Sequence, residues 1–395
     1  MKRHILTNAR LILPQESVEG TLVIEGSRIT GIIPGRHYAD GADLHGLWLA
    51  PGVIDIHTDY IEKEINPRPK TGFPLPLAFH MMDQRALACG LTTVLGAVRF
   101  SSDGEKETTL WRGNGLALAE AYEDLAKTGL ARHLLHIRWD TNFEPVDGLL
   151  AKMQRFTCFG NLVYNENIPG QRQFQNLDDI ARKRAARGDK TFGEARADLE
   201  RQIAANRNIN NRPKVRAAFA GRLPIGSHDD TTAGHVIEAK EMGATLCEMP
   251  TTLAAARQAK RLGLDVCMGA PNYYRGGSHC GNLSCAEAMA EGLVDILCSD
   301  YHFPSLLGSV VRMMSAGVAP HQAMACVTLH PARHLGRDGE TGSIETGKLA
   351  DLIAFEAHDT HAVVRAVWVE GEVRFQSGQI PRAAAGHAFA PAGAA

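Results

Sequence analysis

No stretch of this sequence approaches the ~18 uninterrupted apolar residues of a transmembrane helix, so no membrane passage is expected. No two cysteines stand in C-x-x-C spacing, which leaves no dithiol or zinc-ribbon motif to read. The eight cysteines are Cys89, Cys158, Cys247, Cys267, Cys280, Cys285, Cys298 and Cys326. Several sit in apolar runs, such as Thr245-Leu246-Cys247 and Ile296-Leu297-Cys298, and read as reduced thiols acting as small core hydrophobes. An excess of positive charge is also missing. The net charge of -2 argues against a generally basic nucleic-acid binder. Met1-Lys2-Arg3-His4 leads into a strand-like segment without the apolar region of a signal peptide, and a cytoplasmic location is the expectation.

What is present suffices for a large core. The 395 residues suit one large α/β barrel plus a small second unit better than a single domain of ~150 residues. Both ends are rich in strand signals. Ile5 to Leu13 reads as a strand, and Thr21 to Glu25 and Arg28 to Ile33 flank the hairpin signal Gly26-Ser27. Near the other end, Asp351 to Phe355, Val363 to Val369 and Val373 to Phe375 have the same texture. Residues 1–50 and 343–380 are therefore expected to pair into a small β-sandwich. The Ala-, Pro- and Gly-rich stretch 381–395 is expected to be a disordered tail.

Between the ends, residues 51–342 alternate strand and helix patterns, which predicts a parallel sheet. Eight strand candidates occur: Val53–His57, Thr92–Val98, His133–Arg138, Asn161–Glu166, Leu223–His228, Thr245–Met249, Asp265–Gly269 and Asp295–Ser299. Eight is the count of a closed (β/α)8, TIM-like barrel. The alternative, an open doubly wound sheet, more often carries a glycine-rich phosphate loop after its first strand, and none is present. About 50 residues separate the fourth and fifth strands and form a charged, helical insertion over 170–221. Two readings of it stay open: a lid or substrate platform, or a solvated helical pair at a contact of a homo-oligomer.

Ionisable residues concentrate where barrel active sites are assembled, at the carboxyl ends of strands. His57 and Asp59 close the first strand, Glu166 the fourth, His228 the fifth and Asp300 the eighth, while Glu248 lies in the sixth. His57 and Asp59 are two residues apart and so share a side of their strand. Imidazole nitrogens with carboxylate oxygens suit a divalent metal, Zn first, with Mn or Fe as alternatives, as one or two ions. Such a site generates hydroxide near neutral pH, and Asp300 is the natural proton acceptor, so a metal-dependent hydrolase is expected.

The motifs resemble the amidohydrolase superfamily, and within it the PhnM family. The stretches that carry the resemblance are His57-Thr58-Asp59, Pro67-Arg68-Pro69-Lys70, Gly90-Leu91-Thr92-Thr93-Val94-Leu95, Pro169-Gly170-Gln171-Arg172-Gln173-Phe174, Ser227-His228-Asp229-Asp230, Met268-Gly269-Ala270-Pro271-Asn272, Arg275-Gly276-Gly277-Ser278-His279, Gly281-Asn282 and Ser299-Asp300-Tyr301. The resemblance implies hydrolysis of α-D-ribose 1-methylphosphonate 5-triphosphate to the 5-phosphate and pyrophosphate in phosphonate breakdown. Metal-bound hydroxide would attack the α-phosphorus with Asp300 as proton shuttle. It implies His57, Asp59, Glu166, His228 and Asp300 as metal ligands. It also implies a small phosphorylated ribose as partner, held by Arg68, Lys70, Arg172, Arg275 and His279, since phosphate oxygens suit cationic side chains.

The sequence departs from the superfamily at several points. The first strand has Asp59 where a second His is usual, and Glu248 stands near the missing sixth-strand His. No fourth-strand Lys is present, so Glu166 would bridge any metal pair. Asn167 replaces a His of the PhnM relatives, and Trp139-Asp140 stands where they carry Cys-Glu. Asp140, Asn167 and Glu248 are expected to back the metal ligands. Two competing readings are an amidohydrolase acting on a cyclic amide, N-acyl or deaminase substrate, and a non-catalytic metal-bound scaffold.

Overall fold

The computed structural model describes residues 3–68, 71–101, 115–142, 144, 148–166, 168–172, 176–186, 190–204, 210–278 and 281–378. Lys70, Asn167, His279 and the 381–395 tail lie outside the described residues.

The N-terminal strands are β1 (Arg3–Ile12), β2 (Ser17–Glu25), β3 (Arg28–Pro34), β4 (Ala42–Asp43) and β5 (Trp48–Pro51). The central strands are β6 (Val53–Thr58), β7 (Leu91–Phe100), β8 (Arg132–Asp140), β9 (Phe159–Asn165), β10 (Ile225–His228), β11 (Leu246–Glu248), β12 (Asp265–Gly269) and β13 (Ile296–Cys298). The last three are β14 (Leu352–Ala357), β15 (Ala362–Val369) and β16 (Glu372–Gln376).

β6 to β13 pair in parallel and in sequence order, and match one for one the eight strands expected from the sequence. The barrel closes between its last and first strands at the mouth. A parallel bridge joins Thr58 to Asp300, with Asp300 N donating to His57 O at 3.0 Å and Asp59 N to Asp300 O at 2.6 Å. Three expected metal ligands, His57, Asp59 and Asp300, are thus fixed by the backbone bonds that close the barrel. Inside, Ile54, Leu95, Leu134, Leu246, Cys267 and Ile296, from six different strands, meet in one cluster. The helices pack outside; the Leu253–Arg261 helix, for example, buries Ala255, Ala256 and Ala259 against the sheet, and Thr252 caps its start by accepting from Ala255 N. Seven cysteines among the described residues are unpaired, five of them buried. No helix among the described residues is long and apolar enough to cross a membrane.

The chain ends form one curled sheet in the order β16-β15-β14-β5-β1-β2-β3, with β4 on β1. β5 joins the halves, running parallel to β1 and antiparallel to β14. The sequence did not announce β5, because four residues are too few to display a period-two pattern. The sheet curls until Leu22 and Ile24 of β2 share a core with Ala366 and Trp368 of β15. Its two hairpin turns then meet. A Cβ on Gly371, whose φ is +78°, would sit 2.3 Å from Gly26 O, so only glycine fits.

After β9 come helices Leu177–Ala185, Phe192–Ala204 and Arg212–Phe219. The first two bury Ala181, Ala195 and Leu199 between them as a small separate core. The third is bound to the barrel, where Trp139 Nε1 donates to Asn211 Oδ1 at 2.9 Å.

Candidate metal centre

Glu248, fully buried in β11, is the hub of the mouth. Its Oε2 lies 2.9 Å from His57 Nδ1 and 2.7 Å from His228 Nδ1, with His136 Nε2 at 3.5 Å. Ligand atoms on a tetrahedral ion with bonds of ~2.0–2.1 Å stand about 3.3 Å apart, so the two shorter contacts are hydrogen bonds. Burial pushes the Glu248 carboxyl up, but His57 and His136 beside it outweigh burial and hold it well below the usual carboxylate range. An ionised carboxylate only accepts, so each Nδ1 carries the shared proton. Burial depresses the His57 imidazole, yet Glu248 outweighs it and brings the group to about 9. His136, also buried, falls well below its ordinary value because burial dominates there.

The Nε2 edges face the opposite way. His57 Nε2 is 3.8 Å from Asp59 Oδ1, and His228 Nε2 is 3.3 Å from Asp229 Oδ2. Arg138 Nη2 donates to His228 Nε2 at 3.1 Å, and Arg138 Nη1 is 3.7 Å from Asp59 Oδ1. Two groups of potential ligand atoms lie within 4.8 Å of one another: His57, Asp59 and Asp300, and His57, His228 and Glu248. Asp229, Met249 and Asp300 adopt φ of +58°, +52° and +54° immediately after their strands. Left-handed non-glycine residues cost of order 1 kcal/mol each and cluster where side chains must be aimed. Burial raises both Asp229 and Asp300 above the ordinary carboxylate range.

These residues open onto a cavity of about 300 Å³ lined also by Met249, Met268, Asn272, Arg275 and Tyr301. A divalent cation fits this donor set. Imidazole Nε2 atoms backed by a carboxylate on Nδ1 are the usual oriented ligands of such ions. Glu248 Oε1 and both ring nitrogens of His136 are buried without a hydrogen-bond partner, an arrangement that calls for a further charged or polar group.

The structure gathers His57, Asp59 and Asp300 in one ligand group and places His228 on the same cavity, with Glu248 behind both imidazoles. It does not bring Glu166 to them. Glu166 Oε2 accepts from Arg172 Nε at 3.0 Å and Arg212 Nη2 at 3.3 Å, so its charge is used in ion pairs. Arg172, expected on substrate, is buried, with Nη1 2.5 Å from Asp230 Oδ1. Its donors serve two carboxylates, and it is not among the cavity-lining residues. Asp140 caps Asn142 N at 2.9 Å and lies 3.5 Å from Arg99 Nη2. Arg68 is exposed in a turn closed by Thr71, away from the cavity lining. Arg275 does line the cavity, 3.3 Å from the Tyr301 hydroxyl. His136 and Arg138 also stand at the mouth, although no motif singles them out. The available signal was the period-two spacing His136, Arg138, Asp140 at the end of β8, which places the three on one side.

Residues 189–374 match the model of the amidohydrolase family. The chain is 33% identical over 380 residues to alpha-D-ribose 1-methylphosphonate 5-triphosphate diphosphatase of Escherichia coli (strain K12), covering 93% of this chain and 99% of that protein. Solved structures of the same fold include N-acetylglucosamine-6-phosphate deacetylase from Pasteurella multocida, with a TM-score of 0.57, 15% identity and 94% and 99% of the two chains covered. Another is D-hydantoinase from a Bacillus sp. AR9, with a TM-score of 0.60, 12% identity and 96% and 97% covered. The likeness to the Escherichia coli protein runs nearly end to end, and the chain accordingly belongs to the amidohydrolase superfamily and, within it, to the PhnM family of hydrolases.

Proposed function

We propose that the protein hydrolyses α-D-ribose 1-methylphosphonate 5-triphosphate to the 5-phosphate and pyrophosphate, using a divalent cation, zinc by preference, held by His57, Asp59, His228 and Asp300. The observation that carries this reading is the 33% identity to a diphosphatase along 93% of the chain. The cavity supports it, because Arg138 and Arg275 line the same space as Asp59 and Asp300 and so offer cations for phosphate oxygens. When bound, a divalent ion draws electron density from a phosphoryl oxygen and makes water acidic enough to act near neutral pH. Asp300 takes the proton of the attacking water, a role that suits a carboxylate whose proton affinity burial has raised. Glu248 holds His57 and His228 in one tautomer and one orientation. Arg275 steadies the leaving pyrophosphate, with Tyr301 fixing the guanidinium. Phosphoryl transfer needs chiefly positioning and charge stabilisation, which these residues supply. Unpaired cysteines are in keeping with a cytoplasmic setting.

Phosphorus NMR tests the reading directly. Metal-replete protein is expected to release pyrophosphate from the methylphosphonate ribose triphosphate and not from simple nucleoside triphosphates. Absence of pyrophosphate from the former overturns it.

A further inference from the structure

Arg138 lies two residues before the end of β8, in an unusual position for a guanidinium. It projects into the cavity from β8, and its Nε is buried with no hydrogen-bond partner. Its Nη2 spends a hydrogen bond on an imidazole nitrogen, His228 Nε2, at 3.1 Å. Its Nη1 stands 3.7 Å from Asp59 Oδ1, beyond hydrogen-bond length. A guanidinium carries five donors and is best satisfied by the paired oxygens of a carboxylate or phosphate, so Arg138 is under-used where it lies.

The two atoms it approaches belong to residues proposed above to hold the cation. Because Glu248 takes the Nδ1 proton of His228, the ring nitrogen facing Arg138 is a lone pair. A lone pair accepts from one donor or binds one cation, and the guanidinium sits against the edge from which a cation held by His57, Asp59, His228 and Asp300 must approach. The other groups on this face are the imidazoles of His57 and His136 and four carboxylates. Asp229, Glu248 and Asp300 surround Arg138 together with Asp59, so a positive charge is called for with either partner.

We propose that Arg138 is a positioning cation that competes with the divalent metal for His228 Nε2 and Asp59, and that metal binding turns its guanidinium outward onto a phosphate of the substrate. One residue then does two things in sequence. It screens the carboxylates of the centre from one another, and on displacement it delivers a planar fork of donors to the tetrahedral oxyanion. Metal and oxyanion thereby bind cooperatively, since each favours the same position of the side chain. Only the oxyanion's identity rests on the proposed function; the competition for His228 does not.

The test uses chelator-stripped full-length Arg138→Met, which keeps a long unbranched side chain without the charge. Zinc affinity is read by competition with a chromophoric chelator. Sulfate, a tetrahedral oxyanion that chelates zinc weakly, serves as the ligand probe by calorimetry on zinc-loaded protein. Removal of the competitor is expected to tighten zinc binding about tenfold, and loss of the fork to weaken sulfate binding by about tenfold. In the wild type sulfate raises zinc affinity, and in Arg138→Met it no longer does. Arg138→Gln, neutral but still able to donate, replaces the methionine variant should that one fail to fold, and moves both constants in the same directions. Zinc affinity unchanged or weakened in either folded variant overturns the proposal, as does unchanged sulfate binding. A wild-type protein that obeys all of this yet leaves the methylphosphonate ribose triphosphate intact overturns the substrate assignment alone.

Discussion

Two charged clusters sit side by side at the mouth of the barrel and share strand β10. One gathers around Arg172, where Glu166 and Asp230 face Arg172 and Arg212, and Ser227 donates to Asp230. Arg212 also meets Glu238 at 3.2 Å, and these ion pairs tie the strand ends to the first residue of the Arg212–Phe219 helix. The other gathers around Glu248, where Asp59, Asp229 and Asp300 add to the negative charge and Arg138 is the guanidinium among them. That cluster keeps Glu248 Oε1 and the His136 nitrogens unpartnered and opens on the cavity. The same residue types thus build a closed brace in one place and an open centre in the next. Pairing separates them: a cluster whose guanidiniums are all taken up by carboxylates has nothing left for a ligand.

The largest expected effect breaks the open cluster. Asp300→Asn leaves the shape but removes the proton acceptor, and turnover per bound metal ion is expected to fall about 10³-fold. Full turnover by a metal-replete variant would contradict its role as base. Arg172→Met breaks the closed cluster instead. It leaves Glu166 and Asp230 without their shared partner, and a loss of about 3 kcal/mol or more is expected in urea unfolding. If the variant is as stable as the wild type but has lost substrate affinity, Arg172 belongs to substrate binding after all.

A smaller effect comes from a buried histidine behind the open cluster. His334 is held down to about 4 by burial, with Glu248 acting weakly against it. The unfolded chain takes up a proton near 6.5 that the folded chain refuses until about 4. Stability from this group is therefore present above 6.5 and lost as pH falls toward 4, amounting to about 3 kcal/mol at most. Unfolding free energies at pH 7 and pH 5 are expected to differ more in the wild type than in His334→Leu; equal differences would exclude His334 as the source. Glu248→Gln is the mildest and sharpens the comparison most. It keeps the shape but removes the charge that orients two imidazoles, and zinc affinity is expected to drop about 10- to 100-fold while the Arg172 brace is untouched. An unaltered zinc constant would remove Glu248 from the centre.

The barrel was legible because its strands are apolar runs bounded by polar ends, and parallel strands buried on both faces look like that in any context. His57, Asp59, His228 and Asp300 were legible for a related reason: a polar residue directly after such a run lies at the mouth. The same rule admitted Glu166, and it could not tell that Arg172 and Arg212 would reach back to neutralise it. The place of Arg172 between Glu166 and Asp230 was not legible, because a cation in a loop has no periodicity to say where it points. His136 and Arg138 were missed because they lie within a strand, where alternation alone does not say which side is the lumen.

By itself the sequence determined the order and type of the elements, the eight-strand count and the rim to which ionisable residues are delivered, because hydrophobic periodicity is a local property of the chain. Only the tertiary structure decided which of those residues meet. Whether a carboxylate is neutralised by a guanidinium or left to face a cavity depends on side chains brought together from distant strands, such as His57 and Glu248, 191 residues apart. Electrostatic pairing acts through space, and no local pattern encodes it.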